Sequence, residues 1–444
     1  MQTTWHDTRE KPPRVILPPS PNLISSLTRV AKKSGDIALV YSPAFNFYFL
    51  NNPAFVEVVL VSKHASFVKG DLIQRGRKVF GEGLLTSEGE LHHRQKRLVQ
   101  PAFYSDKVAS YADTIVDCTE KMLNSWKDGM VIDIHGAMMR LTMSIMATCL
   151  FGEDITRSAE IIGALSDVVE YFNRLSGPFS WFFEKLPVNG SYVNSLRTLD
   201  ALIYKKIRER RDRNGTDILS MFVRADRPAM SDQQIRDEIL ILFAAGHETT
   251  ANALSWTWYL LARSPKIEEK LHKELDSVLG SEPRKLSSDD AAELVFTRKV
   301  FTEELRLYPP AWVIARKTTR DVRISGYEIP CGANVVMSQY VIHHDSRYFP
   351  RPEKFDPDRW TEEMVRNLPK GAYFPFGAGP RSCVGEPFAW MEGILVIAAI
   401  ASRWRLELTG KKEIEMLPRT TLRPKKGIRM RIAERAFTSS GFQR

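Results

Sequence analysis

The chain has 444 residues, of which 43% are hydrophobic and 26% charged, and a formal net charge of +10. This composition supports a large apolar core and excludes collagen-like, low-complexity and intrinsically disordered chains. The basic excess comes without a nucleic-acid-binding motif, which leaves a plain basic surface or a dock for an acidic protein, and no nucleic acid among the expected partners.

Residues 1–25 begin charged and polar and are expected as an N-terminal extension that is neither signal peptide nor membrane anchor. Residues 37–50 alternate apolar and polar positions around Ser42-Pro43 and predict a β-hairpin. Asn52-Pro53 then opens a helix, with Asn as N-cap and Pro in the first turn. From about residue 104 to 300 a helical period dominates. Cys118 and Cys149 lie inside that stretch and are expected as small buried hydrophobes.

One helix stands out. Ser231 and Gln234 have the spacing of a capping box, and no breaker follows until Ser264-Pro265, about 32 residues or ~48 Å later at 1.5 Å per residue. Its middle is apolar on all sides, so it is expected to cross the centre of the core. Glu303 and Arg306 then sit at i and i+3 on a helix that stops at Tyr308-Pro309-Pro310. Beyond Pro309 come short strand-like pieces punctuated by Pro and Gly, a coil to Gly379, a helix from about Val384, and final strands. The expected class is α+β, mostly α, with a helix-rich body and a smaller β lobe in a single domain over residues 1–444. No linker or fixed-period repeat divides the chain. The longest apolar runs, 239–246 and 393–401, fall short of the ~18 residues of a spanning helix, so no membrane span and a cytoplasmic location are expected.

Two segments carry chemistry. None of the four cysteines (Cys118, Cys149, Cys331, Cys383) forms a CxxC pair, which argues against zinc and iron–sulfur frameworks. Cys383, however, stands at the mouth of a helix, where free N–H groups and the dipole favour a thiolate. Gly377 and Gly379 permit a tight loop around it, Phe376 is placed to cover the sulfur, and Gly385 lets a flat ligand approach the backbone. Arg381 would face an anionic group on such a ligand, and the set suits a thiolate-ligated haem. The second segment is Ala245-Gly246-His247-Glu248-Thr249-Thr250 on the long helix. Gly costs ~1 kcal/mol in a helix interior. Ala245 and Gly246 would leave a groove for a small molecule, with Thr249 and Glu248 as an acid–alcohol pair that moves protons. A kink stabilised by Thr back-bonding is the alternative, and His247 is expected to be a packed or solvent-facing residue rather than a ligand.

The cysteine segment resembles the haem-binding loop of the cytochrome P450 superfamily, F-x-x-G-x-R-x-C-x-G, at Phe376, Gly379, Arg381, Cys383 and Gly385. The long helix matches that family's A/G-G-x-D/E-T-T pattern. Glu303 and Arg306 resemble its E-x-x-R helix, and residues 355–360 its F-x-P-x-R element, with Arg359 joining the first pair to lock the coil before the cysteine loop. Motif order agrees over roughly residues 37–430.

The resemblance implies a P450 fold of the soluble bacterial type. Haem b would lie between the long central helix and the cysteine-loop helix, ligated by Cys383. His92 and Lys96 fall where a helix reaches a haem propionate, although lysine stands there in place of the family's arginine and the adjacent Arg97 is an alternative. Arg316 falls at another propionate-contacting position. Leu72, Leu85, Phe243, Ala245, Val313 and Leu422 fall in segments that line the family's substrate pocket, so a small apolar substrate is expected: a lipid, terpenoid or other natural product. The implied reaction is a monooxygenation, hydroxylation or epoxidation, in which dioxygen is cleaved with two protons routed through Thr249 and Glu248. No flavin or ferredoxin domain follows the final strands. Electrons are therefore expected from a ferredoxin or flavodoxin with its reductase, docking on Arg94, Lys96, Arg97 and Lys107. The alternatives are a haem-thiolate isomerase or peroxide-driven enzyme, a non-catalytic haem sensor, and a haem-free helical binding protein.

Overall fold

The computed structural model describes residues 11–435 apart from 19, 21, 43, 44, 176–189, 213, 214, 226–228 and 281–283. The resemblance also implies a pocket segment near 172–186, most of which lies outside the described residues, as does Pro43 of the expected hairpin.

Thirteen short strands are described. In chain order they are β1 (Arg14–Ile16), β2 (Ile37–Tyr41), β3 (Phe47–Leu50), β4 (Phe67–Lys69), β5 (Val131–Asp133), β6 (Ile314–Thr318), β7 (Val322–Ile324), β8 (Tyr327–Ile329), β9 (Asn334–Met337), β10 (Trp404–Leu408), β11 (Met416–Pro418), β12 (Leu422–Pro424) and β13 (Arg429–Glu434). The helices that position the site are α1 (Leu23–Ser34), α2 (Gly89–Val99), α3 (Ile134–Phe151), α4 (Ala159–Leu175), α5 (Asp232–Ala262), α6 (Val295–Leu307) and α7 (Glu386–Ala401). The architecture is a helix-rich body with a smaller sheet lobe.

The lobe joins the N-terminal strands to strands that follow α6. Its six-stranded sheet runs β1-β2-β3-β9-β6-β4. The antiparallel β2–β3 hairpin extends through parallel pairing of β3 with β9, which sets Phe47 opposite Asn334 and Leu50 opposite Met337. β1 pairs in parallel with β2, and Asn22 caps α1. Within the extension expected over 1–25, Arg14–Ile16 and the start of α1 at Leu23 therefore belong to the fold. The backbone N–H groups of β2 recruit Arg14–Ile16 into the sheet. β5 interrupts the helical stretch because β13 binds it antiparallel, Asp133 opposite Arg429.

The helical core forms around α5. Its 31 residues start at a capping box in which Ser231 Oγ accepts from Gln234 N (3.2 Å) and Gln234 Oε1 accepts from Ser231 N (3.0 Å). Beyond the first turn almost every side chain is buried, Trp256 fully. α3 packs along it. By length and composition α3 is apolar enough to cross a membrane, but 67% of it is buried in the core. Cys118 and Cys149 are buried in the same core.

Candidate active site

The cysteine loop is a set of tight turns. Gly377 N donates to Phe374 O (2.9 Å), Ser382 N to Gly379 O (3.0 Å) and Cys383 N to Phe376 O (2.9 Å). Gly377 and Gly379 have φ of 72° and 69°, a region closed to most side chains. Gly379 has a second reason: a Cβ there would lie 2.0 Å from Leu60 O. Phe376 packs against Trp390 (5.9 Å between centroids) on the first turns of α7.

The Cys383 sulfur accepts hydrogen bonds from the N–H groups of Gly385 and Glu386, and the Lys96 ammonium also favours its charge. Burial outweighs them, and with the Glu386 carboxylate it pushes the thiol up to about 11. The helix mouth alone therefore does not make the expected thiolate; a bound cation at the sulfur has to complete the stabilisation. Cys383 is accessible nonetheless, so it faces an interior space. Gly385 borders the same space: a Cβ there would meet nothing closer than 3.9 Å, the sulfur itself and Phe103.

Across from α7, the buried centre of α5 has one exposed residue, Ala245, with Gly246 and Thr249 half-buried near it. Gly246 beside it opens no groove. A Cβ at Gly246 would lie 2.2 Å from Met146 Cε of α3, so this glycine seats a core methionine. Thr249 Oγ1 donates to Ala245 O (2.9 Å). His247 is buried and packed; its Nδ1 lies 2.8 Å from Phe243 O, and because a carbonyl only accepts, that nitrogen carries the proton. Burial holds the imidazole below its usual range. Glu248 is also buried, and its Oε1 accepts from Thr421 Oγ1 (2.5 Å), which in turn accepts from Asn252 Nδ2 (3.1 Å).

Two expected pocket residues do not face this space. Phe243 is 1% exposed and meets Phe151 of α3 edge-on; Leu422 is fully buried under the sheet lobe. Phe243 lies two residues from Ala245 and so on the opposite side of α5, and Leu422 packs into the apolar cluster that holds Ile24, Phe49 and Trp312. Leu72, Leu85 and Val313 are partly accessible.

A cluster of cations borders the loop. Arg381 Nη2 donates to Glu88 Oε2 (2.6 Å) and its Nη1 to Phe67 O (3.0 Å), so its charge meets a protein carboxylate rather than standing free. Arg316 is buried and pushed down to about 10 by burial, with Arg381 adding repulsion. Lys69 is 6% exposed. Its Nζ donates to Leu84 O (2.8 Å) and Ser87 O (2.7 Å) and lies 3.4 Å from His92 Nδ1. Burial pushes it down to about 7 and His92 down to about 4. Among the described residues, buried Arg381 Nε and His92 Nε2 have no hydrogen-bond partner. Three buried or half-buried cations around one contacting carboxylate, with donors left over, fit a ligand that carries more than one carboxylate.

Lys96 turns inward and donates to Pro380 O (2.8 Å), whereas Arg97 is exposed. Lysine, not the neighbouring arginine, is thus the residue on the loop side. Of the other basic residues expected as a dock, Arg94 binds Ala229 O and Lys107 binds Thr216 O, so Arg97 is the most exposed of the four.

Behind the loop, Glu303 and Arg306 are fully buried on α6. Arg306 Nε and Nη2 donate to the two Glu303 oxygens (2.8 and 2.9 Å), and its Nη1 donates to His343 O (2.9 Å). The same carboxylate accepts from Arg359 Nε (2.9 Å), Asp356 N (3.0 Å) and Trp360 Nε1 (2.9 Å). Residues 356–360 are thereby tied to α6, and the coil they open leads to Phe374 and the loop.

Lys69, Glu88, Asn252 and Thr421 were not legible as site residues. Glu88 offers a partial signal: a carboxylate before α2 suggests an N-cap, yet it makes no cap bond. Lys69 and Thr421 sit in no recognisable motif.

The cytochrome P450 family model matches residues 16–432. Cyclooctatin synthase of Streptomyces melanosporofaciens is 38% identical over 85% of this chain and 83% of its own length. Cyclooctat-9-en-7-ol 5-monooxygenase of the same organism is 35% identical over 84% and 83%, and pentalenene oxygenase of Streptomyces avermitilis 30% over 90% and 91%. The crystal structure of the cytochrome P450DA haem domain shares the fold, with a TM-score of 0.85 at 22% identity over 95% of this chain and 98% of that one.

Proposed function

The chain belongs to the cytochrome P450 family and is a haem-carrying monooxygenase, and from that premise we propose that it oxidises a terpenoid of low polarity with electrons from a separate protein. The terpenoid class is supported by the three Streptomyces relatives, whose names specify cyclooctatin, cyclooctat-9-en-7-ol and pentalenene. Partly accessible Leu72, Leu85 and Val313, together with exposed Ala245, offer such a molecule apolar wall.

The observation that carries the reading is the pair of accessible residues in otherwise dense core: Cys383 before α7 and Ala245 in mid-α5, one residue from Gly246 and four from Thr249. Cys383 Sγ would hold the haem iron. Arg316, Arg381, Lys69 and the free Nε2 of His92 would receive the propionates, and Gly385, Phe376 and Ala245 would border the ring. When bound, the haem supplies redox-active iron whose thiolate ligand favours O–O cleavage.

The chain's own residues supply positioning and protons. Thr249 holds a proton at Oγ1, now shared with Ala245 O, and Glu248 holds its carboxylate beside it on the same turn of α5. Together they give a donor and an acid within about one turn of Ala245. Buried Phe243, Ala244 and His247 keep bulk water from the rear of the helix. The electron donor is a ferredoxin or flavodoxin with its reductase, the location is the cytoplasm, and the protein works as a single domain.

The test is spectral. The reduced, carbon monoxide-treated protein is expected to show the red-shifted Soret band of thiolate ligation, absent from Cys383→Ala. Titration with a terpenoid panel is expected to shift the haem spectrum. Turnover with hydrogen peroxide but none with reductant and dioxygen would overturn the monooxygenase assignment.

A further inference from the structure

The turn between β11 and β12 is held from several directions. Trp312 Nε1 donates to Arg419 O (2.8 Å), Leu422 N to Pro310 O (3.0 Å) and Trp256 Nε1 of α5 to Leu422 O (3.2 Å). Thr420 N donates to Asn173 Oδ1 of α4 (3.3 Å). This immobilised turn presents Thr421, 8% exposed, to the carboxylate of Glu248. The donors run in one direction: Asn252 Nδ2 to Thr421 Oγ1 (3.1 Å), then Thr421 Oγ1 to Glu248 Oε1 (2.5 Å). A donor chain of this kind polarises each bond in it. Asn252 is fully buried one helical turn beyond Glu248, and its amide fixes the hydroxyl rotor.

We propose that Thr421 is a positioning residue for dioxygen activation: its hydroxyl, oriented by Asn252, fixes the carboxylate of Glu248 in the geometry from which that residue passes protons toward Thr249. This rests on the proposed role of Glu248. Neither helix geometry nor the α5 motif supplies the contact, since Thr421 lies 173 residues away on another element. Without it a glutamate has three rotatable bonds and no fixed direction, and a donor that is misplaced by an ångström loses much of its advantage.

The test uses the haem-loaded enzyme with a surrogate ferredoxin and reductase, and pentalenene and cyclooctat-9-en-7-ol as probes. Thr421→Val keeps the shape and removes the hydroxyl. It is expected to keep the red-shifted carbon monoxide band while the share of reduced oxygen released as peroxide rises on the order of tenfold. Thr421→Ser is expected to stay within about twofold of the wild type. Asn252→Ala, which frees the rotor, should uncouple by a smaller factor than Thr421→Val and covers the case in which the valine variant fails to fold. Adding Thr421→Val to Glu248→Gln is expected to add nothing, because the two act as one unit. With iodosylbenzene, a single-oxygen donor that needs no delivered proton, Thr421→Val should match the wild type. In difference infrared spectra, Thr421→Val should shift the carboxylate stretch that Glu248→Gln abolishes. If Thr421→Val remains coupled while Glu248→Gln uncouples, the positioning role is wrong and the role of Glu248 survives. If Glu248→Gln is itself coupled, both fall. Equal losses with iodosylbenzene and with dioxygen would reduce Thr421 to a structural residue.

Discussion

Arg381 donates its Nη2 proton to Glu88 Oε2 at 2.6 Å, joining the cysteine loop to the residue that opens α2. The other Glu88 oxygen accepts from Lys69 N (2.5 Å). One carboxylate thus serves as counter-ion beside Arg381, Arg316 and Lys69, where the bound cofactor would bring two more. Glu88→Gln is expected to destabilise the haem-free protein by about 3 kcal/mol, because it strands buried cations, and the haem-loaded protein by clearly less. Urea unfolding of both forms measures the difference, and equal losses would count against the cluster as the propionate site.

Lys69 gives the cluster a pH signature. Its ammonium is pushed down from 10.5 to about 7 by burial. Between those values the unfolded chain binds a proton that the folded one does not, so the stability of the haem-free protein rises with pH across that window and is lost as pH falls towards 7. Burial holds Glu238 up at about 8, which works in the opposite sense from 4.5 to 8, and the raised thiols of Cys383, Cys118 and Cys149 do the same above 9.0, so the clean interval is pH 8 to 9.0. Denaturant midpoints over that interval should climb in the wild type and flatten in Lys69→Met.

Two glycines of the same loop should respond oppositely. Gly379→Ala needs a left-handed φ and meets Leu60 O at 2.0 Å, and it is expected to cost more than ~4 kcal/mol or prevent folding. Gly385 has a φ of −84° and space beside it. Gly385→Ala should leave haem-free stability within about 0.5 kcal/mol and weaken haem retention, since its methyl enters the space that a flat ligand would use. Thermal melts paired with haem-transfer rates separate the two; a Gly385→Ala variant that holds haem normally would contradict the placement.

Glu303 is the common acceptor for Arg306, Arg359, Asp356 and Trp360. Glu303→Ala leaves two guanidinium groups without their carboxylate and is expected to cost about 3–5 kcal/mol. Arg359→Lys keeps the charge but loses the planar fork that also reaches Pro350 O and Lys354 O, and should cost less. Denaturant unfolding that shows Glu303→Ala to be near neutral would mean that the coil is held by other contacts.

The parts legible from sequence are those whose partners lie within a few residues. A helix fixes i,i+3 neighbours, so the pairing of Glu303 with Arg306 is legible in the sequence, and Ser231 with Gln234 announces the start of α5. The Gly377–Gly385 loop was legible for the same reason: turns of positive φ and a helix start are local events. Local geometry did not reveal which way a side chain faces once its element is packed. Phe243 and Ala245 are two residues apart on one helix, yet one is core against Phe151 and the other is open to the site. Gly246 looked like a groove and is the seat of Met146.

The sequence by itself determined the chemistry: a cysteine in a glycine-framed loop before a helix, and an acid–alcohol pair on a long apolar one, because bonded neighbours and helical spacing set both. Tertiary structure decided the electrostatics around them. Glu88 meets Arg381 across 293 residues and Thr421 meets Glu248 across 173. Contacts of that span depend on how N-terminal strands close into one sheet with strands beyond α6 and how α5 is rotated about its axis, which only the packed core sets.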